Sequence, residues 1–256
     1  YIIFFMLILC VPLAADTLVW PSEYQSYVTM DTRSHGGGYN PSVNEFWFPY
    51  WTGASRTNIY RYDDNYNYLG NFNITQSYVM QLWGEDDGSF YTANWGNNTI
   101  RKFNSDKSIA WTTNIGSTAG GVASDDNYVY GMWYYNNSVY KMNKQTGALI
   151  ETFSLNGGNF NTMYGSLLVI DKYLIRVDYA RNVDVYDLNT HNRVYNTTLP
   201  SGGYVYNMAF DGEDMYFSQN NSTVYYYTMG IQTNIPEPSI LLLFALGILG
   251  IYLKKR

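Results

Sequence analysis

Apolar residues along this chain gather in short runs, and the runs recur in pairs. Five segments align: TNIYRYD at 57–63, NTIRKFN at 98–104, NSVYKMN at 137–143, NVDVYDL at 182–188 and STVYYYT at 222–228. Their β-branched positions Ile59, Ile100, Val139, Val183 and Val224 are 41, 39, 44 and 41 residues apart. Upstream of each lies a second run: EFWFPYW, SFYTANW, NYVYGMWYY, YLIRVDY and DMYFSQ. Thr52-Gly53, Gly96-Asn97, Asn136-Asn137, Arg181-Asn182 and Asn220-Asn221 separate the members of each pair. Two apolar runs joined by a Gly- or Asn-bearing turn predict a β-hairpin.

Each later hairpin has a further turn before it, at Glu85–Gly88, Asp125–Asn127, Asp171-Lys172 and Asp211–Asp214, and a short apolar run before that. Val79–Trp83, Leu167–Ile170 and Val205–Phe210 are such runs, and ALIETFSL and RVYNTTL follow two of the hairpins as fourth runs. Four short strands per roughly 40 residues is the unit of a β-propeller blade, in which both faces of a sheet are covered by neighbours. The expected fold is therefore all-β, a propeller of five blades over residues 16–233, with a two-sheet sandwich as the alternative. In general form the repeats are similar to YVTN- or NHL-like propeller repeats. The fifth repeat shows no clear fourth strand after Tyr227. A strand from the other end, Leu18-Val19-Trp20 or Tyr24–Met30, is expected to close it and so remove two open sheet edges.

The two ends break the pattern. Tyr1–Leu13 is almost wholly apolar, and Ala14-Ala15 precede Asp16. This reads as the core and cleavage site of a secretory signal over residues 1–15, truncated at its start because no basic segment or initiator Met precedes it. At the other end Ile240–Leu253 is continuously apolar, and Lys254, Lys255 and Arg256 follow. A helix over 239–253 would reach about 21 Å against a hydrocarbon core of about 30 Å, so it spans only if the basic residues snorkel. Pro236-Glu237-Pro238, the apolar stretch and the basic end stand in that order over residues 234–256. The arrangement resembles the PEP-CTERM sorting signal. That resemblance implies transient holding in the bacterial inner membrane, cutting near the motif by an exosortase, and release to the cell surface or to an extracellular, polysaccharide-rich biofilm matrix. A plain C-terminal membrane anchor, stopped by the two prolines, is the alternative.

Composition narrows the functional classes. The net charge of −6 and pI of 4.8 argue against nucleic acid as a partner. Aromatics at 18% against charged residues at 14% fit strands with uncharged polar turns. The lone Cys10 lies in the signal, so the body has no disulfide of its own. No nucleophile elbow, P-loop or dinucleotide fingerprint is present, and His35 and His191 have no metal-ligand spacing. No catalytic residue, metal or cofactor is assigned. The acidic groups Glu85-Asp86-Asp87, Asp125-Asp126 and Asp211/Asp214 recur in register, as turn residues do. Gly36–Gly38 and the glycine pairs Gly120-Gly121, Gly157-Gly158 and Gly202-Gly203 read as tight loops before the first strands.

Most Trp and Tyr residues belong between the blades. Trp47, Trp83, Trp95 and Trp133 are the candidates for ligand platforms, since sugar rings offer C–H faces to aromatic faces and hydroxyls to Asn, Asp and Tyr. The expected role is an exported, non-enzymatic surface or matrix protein that binds polysaccharide or protein through one propeller face. One alternative is a propeller lactonase or hydrolase using Asp86, Asp125 and Asp211, with Ca²⁺ as a conceivable helper. The other is a permanently membrane-anchored protein-recognition platform.

Overall fold

The computed structural model describes residues 17–19, 26–29, 37–51, 57–158, 166–199, 204–212, 214–219, 223–228 and 230–232. The chain divides into two compact units, Glu23–Thr228 and a smaller one formed by Tyr1–Ser22 with Met229–Arg256. In the smaller unit β1 (Thr17–Val19) pairs antiparallel with a last short strand at Gly230–Gln232, Leu18 opposite Ile231. That last strand was not foreseen, because one apolar residue between Gly230 and Gln232 carries no alternating pattern.

The larger unit begins with β2 (Ser26–Thr29) and continues as successive antiparallel meanders. The first is β3 (Gly38–Asn40), β4 (Glu45–Trp51), β5 (Thr57–Tyr62) and β6 (Tyr68–Ile74). The second is β7 (Val79–Gly84), β8 (Phe90–Asn94), β9 (Thr99–Phe103) and β10 (Ile109–Asn114). The third is β11 (Ala119–Ser124), β12 (Tyr128–Trp133), β13 (Ser138–Asn143) and β14 (Leu149–Ser154). The fourth is β15 (Ser166–Ile170), β16 (Tyr173–Val177), β17 (Asn182–Asp187) and β18 (Arg193–Thr198). The fifth is β19 (Val205–Phe210), β20 (Asp214–Gln219) and β21 (Thr223–Thr228), with β2 as its fourth strand. Of the two N-terminal runs, the second thus completes the fifth sheet, Val28 lying opposite Val224. Five sheets rather than two exclude the sandwich.

Period-two alternation explains how the sheets stack. On β4, Phe46 and Phe48 face Tyr216 and Val224 of the fifth sheet, while Trp47 between them faces Leu82 and Phe90 of the second. On β8, Phe90 faces back to the first sheet, and Tyr91 and Ala93 face forward to Val122 and Val129 of the third. Tyr130 and Met132 on β12 reach Leu167 and Leu174 of the fourth. Burial on both faces is why these runs lack polar alternation. Gly131 shows how close the sheets come: a Cβ there would lie 2.8 Å from Ile100. The outer strands β10, β14 and β18 are largely exposed.

The first strands are innermost. β3 packs on β7, β7 on β11, β11 on β15, β15 on β19, and β19 on β3. Their middles are joined by polar side chains in otherwise apolar runs. Gln81, at 0% exposure, accepts from the backbone N–H of Val122 (2.8 Å) and Leu167 (2.9 Å) and donates to the carbonyls of Leu167 (2.7 Å) and Met208 (3.3 Å). Asn207 donates to the Gly37 carbonyl, and its side-chain oxygen accepts from the Ser166 hydroxyl. Backbone groups facing inward would otherwise lack partners.

The turns repeat as closely as the strands. Between the third and fourth strands Tyr66, Lys107, Gly147 and His191 all take positive φ, of 63°, 71°, 70° and 58°. Asp63, Asp106, Asn143 and Asp187 accept backbone N–H groups in the same turns. Of the glycine pairs, Gly120 and Gly121 lie buried within β11 beside a bulge rather than in a loop, and Gly202-Gly203 lie outside the described residues.

Candidate functional site

Each first strand ends at the same end of the larger unit, and there the turns to the second strands come together. Two clefts open among them, of about 490 Å³ and about 290 Å³. Trp83 and Asp86 line both. The larger adds Asp125, Asp126, Lys144 and Asp171, and the smaller adds Tyr39 and Asp211. Trp83 is half-buried, packed below on the clusters that join the second, third and fourth sheets. Gln81, two residues back on the same strand, spans the middle of the first strands beneath it.

The acids here fall into two kinds. Asp125 and Asp211 are held by their own turns. Asp125 accepts from the N–H of Asn127 (2.8 Å) and Tyr128 (2.7 Å) with one oxygen and from the Tyr130 hydroxyl (2.7 Å) with the other. Asp211 accepts from the Asp214 N–H (2.7 Å) and the Tyr216 hydroxyl (2.6 Å). Burial first, and then these carboxylates, push the Tyr130 and Tyr216 phenols well above their usual range. Glu85 is paired with Lys144 at 2.8 Å and also accepts from the Ser124 hydroxyl. The Lys144 ammonium further donates to the Asp125 carbonyl (2.7 Å). Asp86, Asp126 and Asp171 are exposed at the cleft. Among the described residues no group of three or more His, Cys, Asp or Glu is placed to hold a metal ion.

The candidate residues from the sequence are thus divided. Trp83, Asp86, Asp125 and Asp211 share one end. Trp47 lies inside, 8% exposed, its indole N–H donating to Glu45 (2.8 Å), which also pairs with Arg61. Trp95 and Trp133 lie at the opposite end, where second strands turn into third strands. His191 sits in the β17–β18 turn and stacks on Phe153, centroids 3.9 Å apart. Pro236, Glu237, Pro238, Lys254, Lys255, Arg256 and the expected helix at 239–253 lie outside the described residues, as do His35 and the signal at 1–15. Among the described residues no helix is long and apolar enough to cross a membrane.

The opposite end was singled out in the sequence only through Trp95 and Trp133. There Trp95 is 38% exposed and braced edge-on by Tyr78, and Tyr135 is 50% exposed and braced edge-on by Tyr134. Tyr204, also 50% exposed, stacks on Tyr179 at 3.8 Å. Aligned by repeat, Trp95, Tyr134 and Tyr179 stand at the same place after the second strands of successive sheets, with Tyr135 one residue on, a signal present in the sequence but unused.

Similarity to known proteins separates fold from tail. The chain resembles in structure a glutaminyl cyclase of Myxococcus xanthus, with a TM-score of 0.64 and 7% identity over 82% of this chain and 96% of that one. It also resembles a chain of a mitotic checkpoint complex, with a TM-score of 0.53 and 11% identity over 82% and 93%. At such identities the likeness is one of fold. No curated protein matches the sequence. Residues 234–256 match the PEP-CTERM protein-sorting motif, which marks the chain as an exosortase-sorted, extracellular protein.

Proposed function

We propose that the larger unit is a five-bladed β-propeller and that the protein works outside the cell as a non-enzymatic binding protein for matrix polysaccharide. The cycle of contacts among the five first strands, the Gln81 bridge and the closure by β2 support the propeller reading. The sorting motif supports the location, with an exosortase as a transient partner at the tail and the inner membrane as its stopping place.

The observation that carries the binding reading is Trp83. It is an aromatic surface on a wall shared by two clefts, ringed by the exposed carboxylates Asp86, Asp126 and Asp171. Aromatic faces take sugar C–H faces, and carboxylates accept hydroxyl hydrogen bonds. The hydrolase alternative has one observation in its favour, the convergence of Asp86, Asp125 and Asp211 at one end. Against it, both oxygens of Asp125 and Asp211 are engaged in turns, which leaves neither placed as a general base.

Retention of the purified residue 16–233 body on polysaccharide from the source culture is the test. Trp83→Ala should lower affinity at least about tenfold, as loss of an anchoring aromatic does. Release of reducing ends or opening of lactone panels by the wild type, lost in Asp86→Asn, would replace binding by catalysis.

A further inference from the structure

We infer that the end of the body opposite Trp83 is a second, separate binding surface, an aromatic platform for the chain of a neutral polysaccharide. The inference rests on the extracellular binding reading but not on the Trp83 cleft.

The platform follows from topology. The turns after β8, β12 and β16 and the residues leading into β7, β11 and β19 meet at this end. The Trp95 N–H donates to the Tyr78 carbonyl (3.0 Å) and the Tyr134 N–H to the Thr118 carbonyl (2.8 Å), which ties each turn to the start of its own sheet. Trp95, Tyr135 and Tyr204 come from the second, third and fifth sheets, so the exposed rings are spread around the end rather than stacked in one spot.

Each ring is braced by another. Tyr78 meets Trp95 edge-on at 5.9 Å, Tyr134 meets Tyr135 edge-on at 4.6 Å, and Tyr179 covers one face of Tyr204. Bracing fixes ring orientation before a ligand arrives and leaves ring surface to solvent, which lowers the ordering cost of binding. A core residue would be covered, and a solubilising Tyr would need no second ring behind it.

The chemistry beside the rings selects the ligand. Gly96-Asn97-Asn98 follows Trp95, and Asn136-Asn137 follows Tyr135. Asn136 accepts from the Ser138 N–H (2.8 Å) and Asn137 donates to the Leu155 carbonyl (2.9 Å), so Asn136 has its NH2 and Asn137 its oxygen to offer a sugar hydroxyl, beside the amides of Asn97 and Asn98. Nearby Asp178 is 1% exposed and accepts from the N–H and side-chain amide of Asn182. Aromatic faces with uncharged amides suit an uncharged polyhydroxyl chain. A polyanion would want a cluster of exposed Lys or Arg, whereas Arg101 and Arg181 at this end are half-buried and stand on separate sheets, and a protein partner would want a continuous apolar patch in place of separated rings.

The two surfaces are separate because the middle of the first strands is filled by Gln81, bonded to the backbone of Val122, Leu167 and Met208, and by Asn207, bonded to Ser166 and the Gly37 carbonyl. One molecule would then hold two chains and join them.

The test is affinity electrophoresis of the residue 16–233 body in gels carrying hydroxyethyl cellulose, galactomannan or laminarin, with alginate as the polyanion. Retardation by at least one neutral polymer and none by alginate is expected. The triple variant Trp95→Ala/Tyr135→Ala/Tyr204→Ala should lower affinity at least about tenfold. Tyr135→Phe/Tyr204→Phe, which keeps the rings, should retain most of it. Matching circular dichroism and unfolding midpoints separate lost binding from lost fold. If the triple variant is retarded as strongly as wild type while Trp83→Ala is not, the platform is wrong and the cleft reading stands. Retardation of the wild type by none of the neutral polymers, or by alginate alone, overturns the platform. If matrix polysaccharide from the source is not retained either, the binding reading falls with it.

Discussion

Gln81 stands in the run VMQLWG, where every neighbour is apolar or small. In sequence it reads as a lapse in a hydrophobic strand. In the fold its amide meets two N–H groups and two carbonyls from three other sheets. A single polar residue in a buried run was the available signal, and Asn207, at the matching place in VYNMAF, repeats it. What the sequence could not supply is the partners, since they lie 41 to 127 positions away. Replacing Gln81 by Leu would fill the volume and leave the Val122 and Leu167 N–H groups buried without partners. At about 1–3 kcal/mol for each orphaned group, the variant should lose about 3–5 kcal/mol in equilibrium urea unfolding. A loss under about 1 kcal/mol would mean that water replaces the amide. Trp83, two residues on, shows the converse. Its type suggested a platform, but its place on a cleft wall depends on turns from four other sheets.

Strands were the most legible level, because both signals that define them are local. The hairpin runs at 45–62, 89–103, 127–143, 173–187 and 214–228 correspond to the second and third strands of the five sheets. The acidic turns were legible for the same reason: Asp125 and Asp211 accept N–H groups two or three residues ahead, which is what Asp does in any such turn. Closure was only half legible. Both Leu18–Trp20 and Tyr24–Met30 look like strands, and nothing local says which one the fifth sheet takes. β2 takes that place, and its ladder runs from Ser26 opposite Tyr226 to Thr29 opposite Thr223. Val28→Pro removes an N–H from this ladder and should detach β2, leaving β21 as an open edge. The expected result is a body that still shows strand circular dichroism but self-associates in light scattering. A monodisperse variant with the wild-type unfolding midpoint would show that β2 is dispensable.

At the scale of the whole molecule, pH should mark out a broad plateau of stability. Asp63, Asp106 and Asp187 are held below the usual carboxylate range, by the Asn67 amide, the Ser108 hydroxyl and the Thr190 N–H in turn. For Glu45, burial works the other way but is outweighed by the hydrogen bonds from Arg61 and Trp47. Such groups stabilise the fold above their unfolded values of about 4, and the gain is lost as pH falls through the lower folded values. Tyr91, Tyr130, Tyr186 and Tyr216 are pushed upward, chiefly by burial. Their contribution is complete below about pH 10 and is lost as pH rises beyond it, when the unfolded chain releases protons that the fold retains. Urea midpoints should therefore be flat between about pH 5 and 9 and fall on both sides. The wholly buried Tyr91 hydroxyl meets no partner among the described residues. Tyr91→Phe should raise the plateau or leave it level, and make the alkaline fall shallower; an unchanged alkaline limb would place that titration elsewhere.

The pairing of β2 with β21 also sets an order in time. In a chain translocated N-terminus first, β2 emerges ahead of the other strands of its sheet and β21 almost last. Four sheets can form as they emerge, but the fifth waits for residues just ahead of the sorting motif. Through most of translocation β2 is a strand without its partner, so the interval between its emergence and that of Thr223–Thr228 is when the body is most exposed to proteases and to its own sister chains.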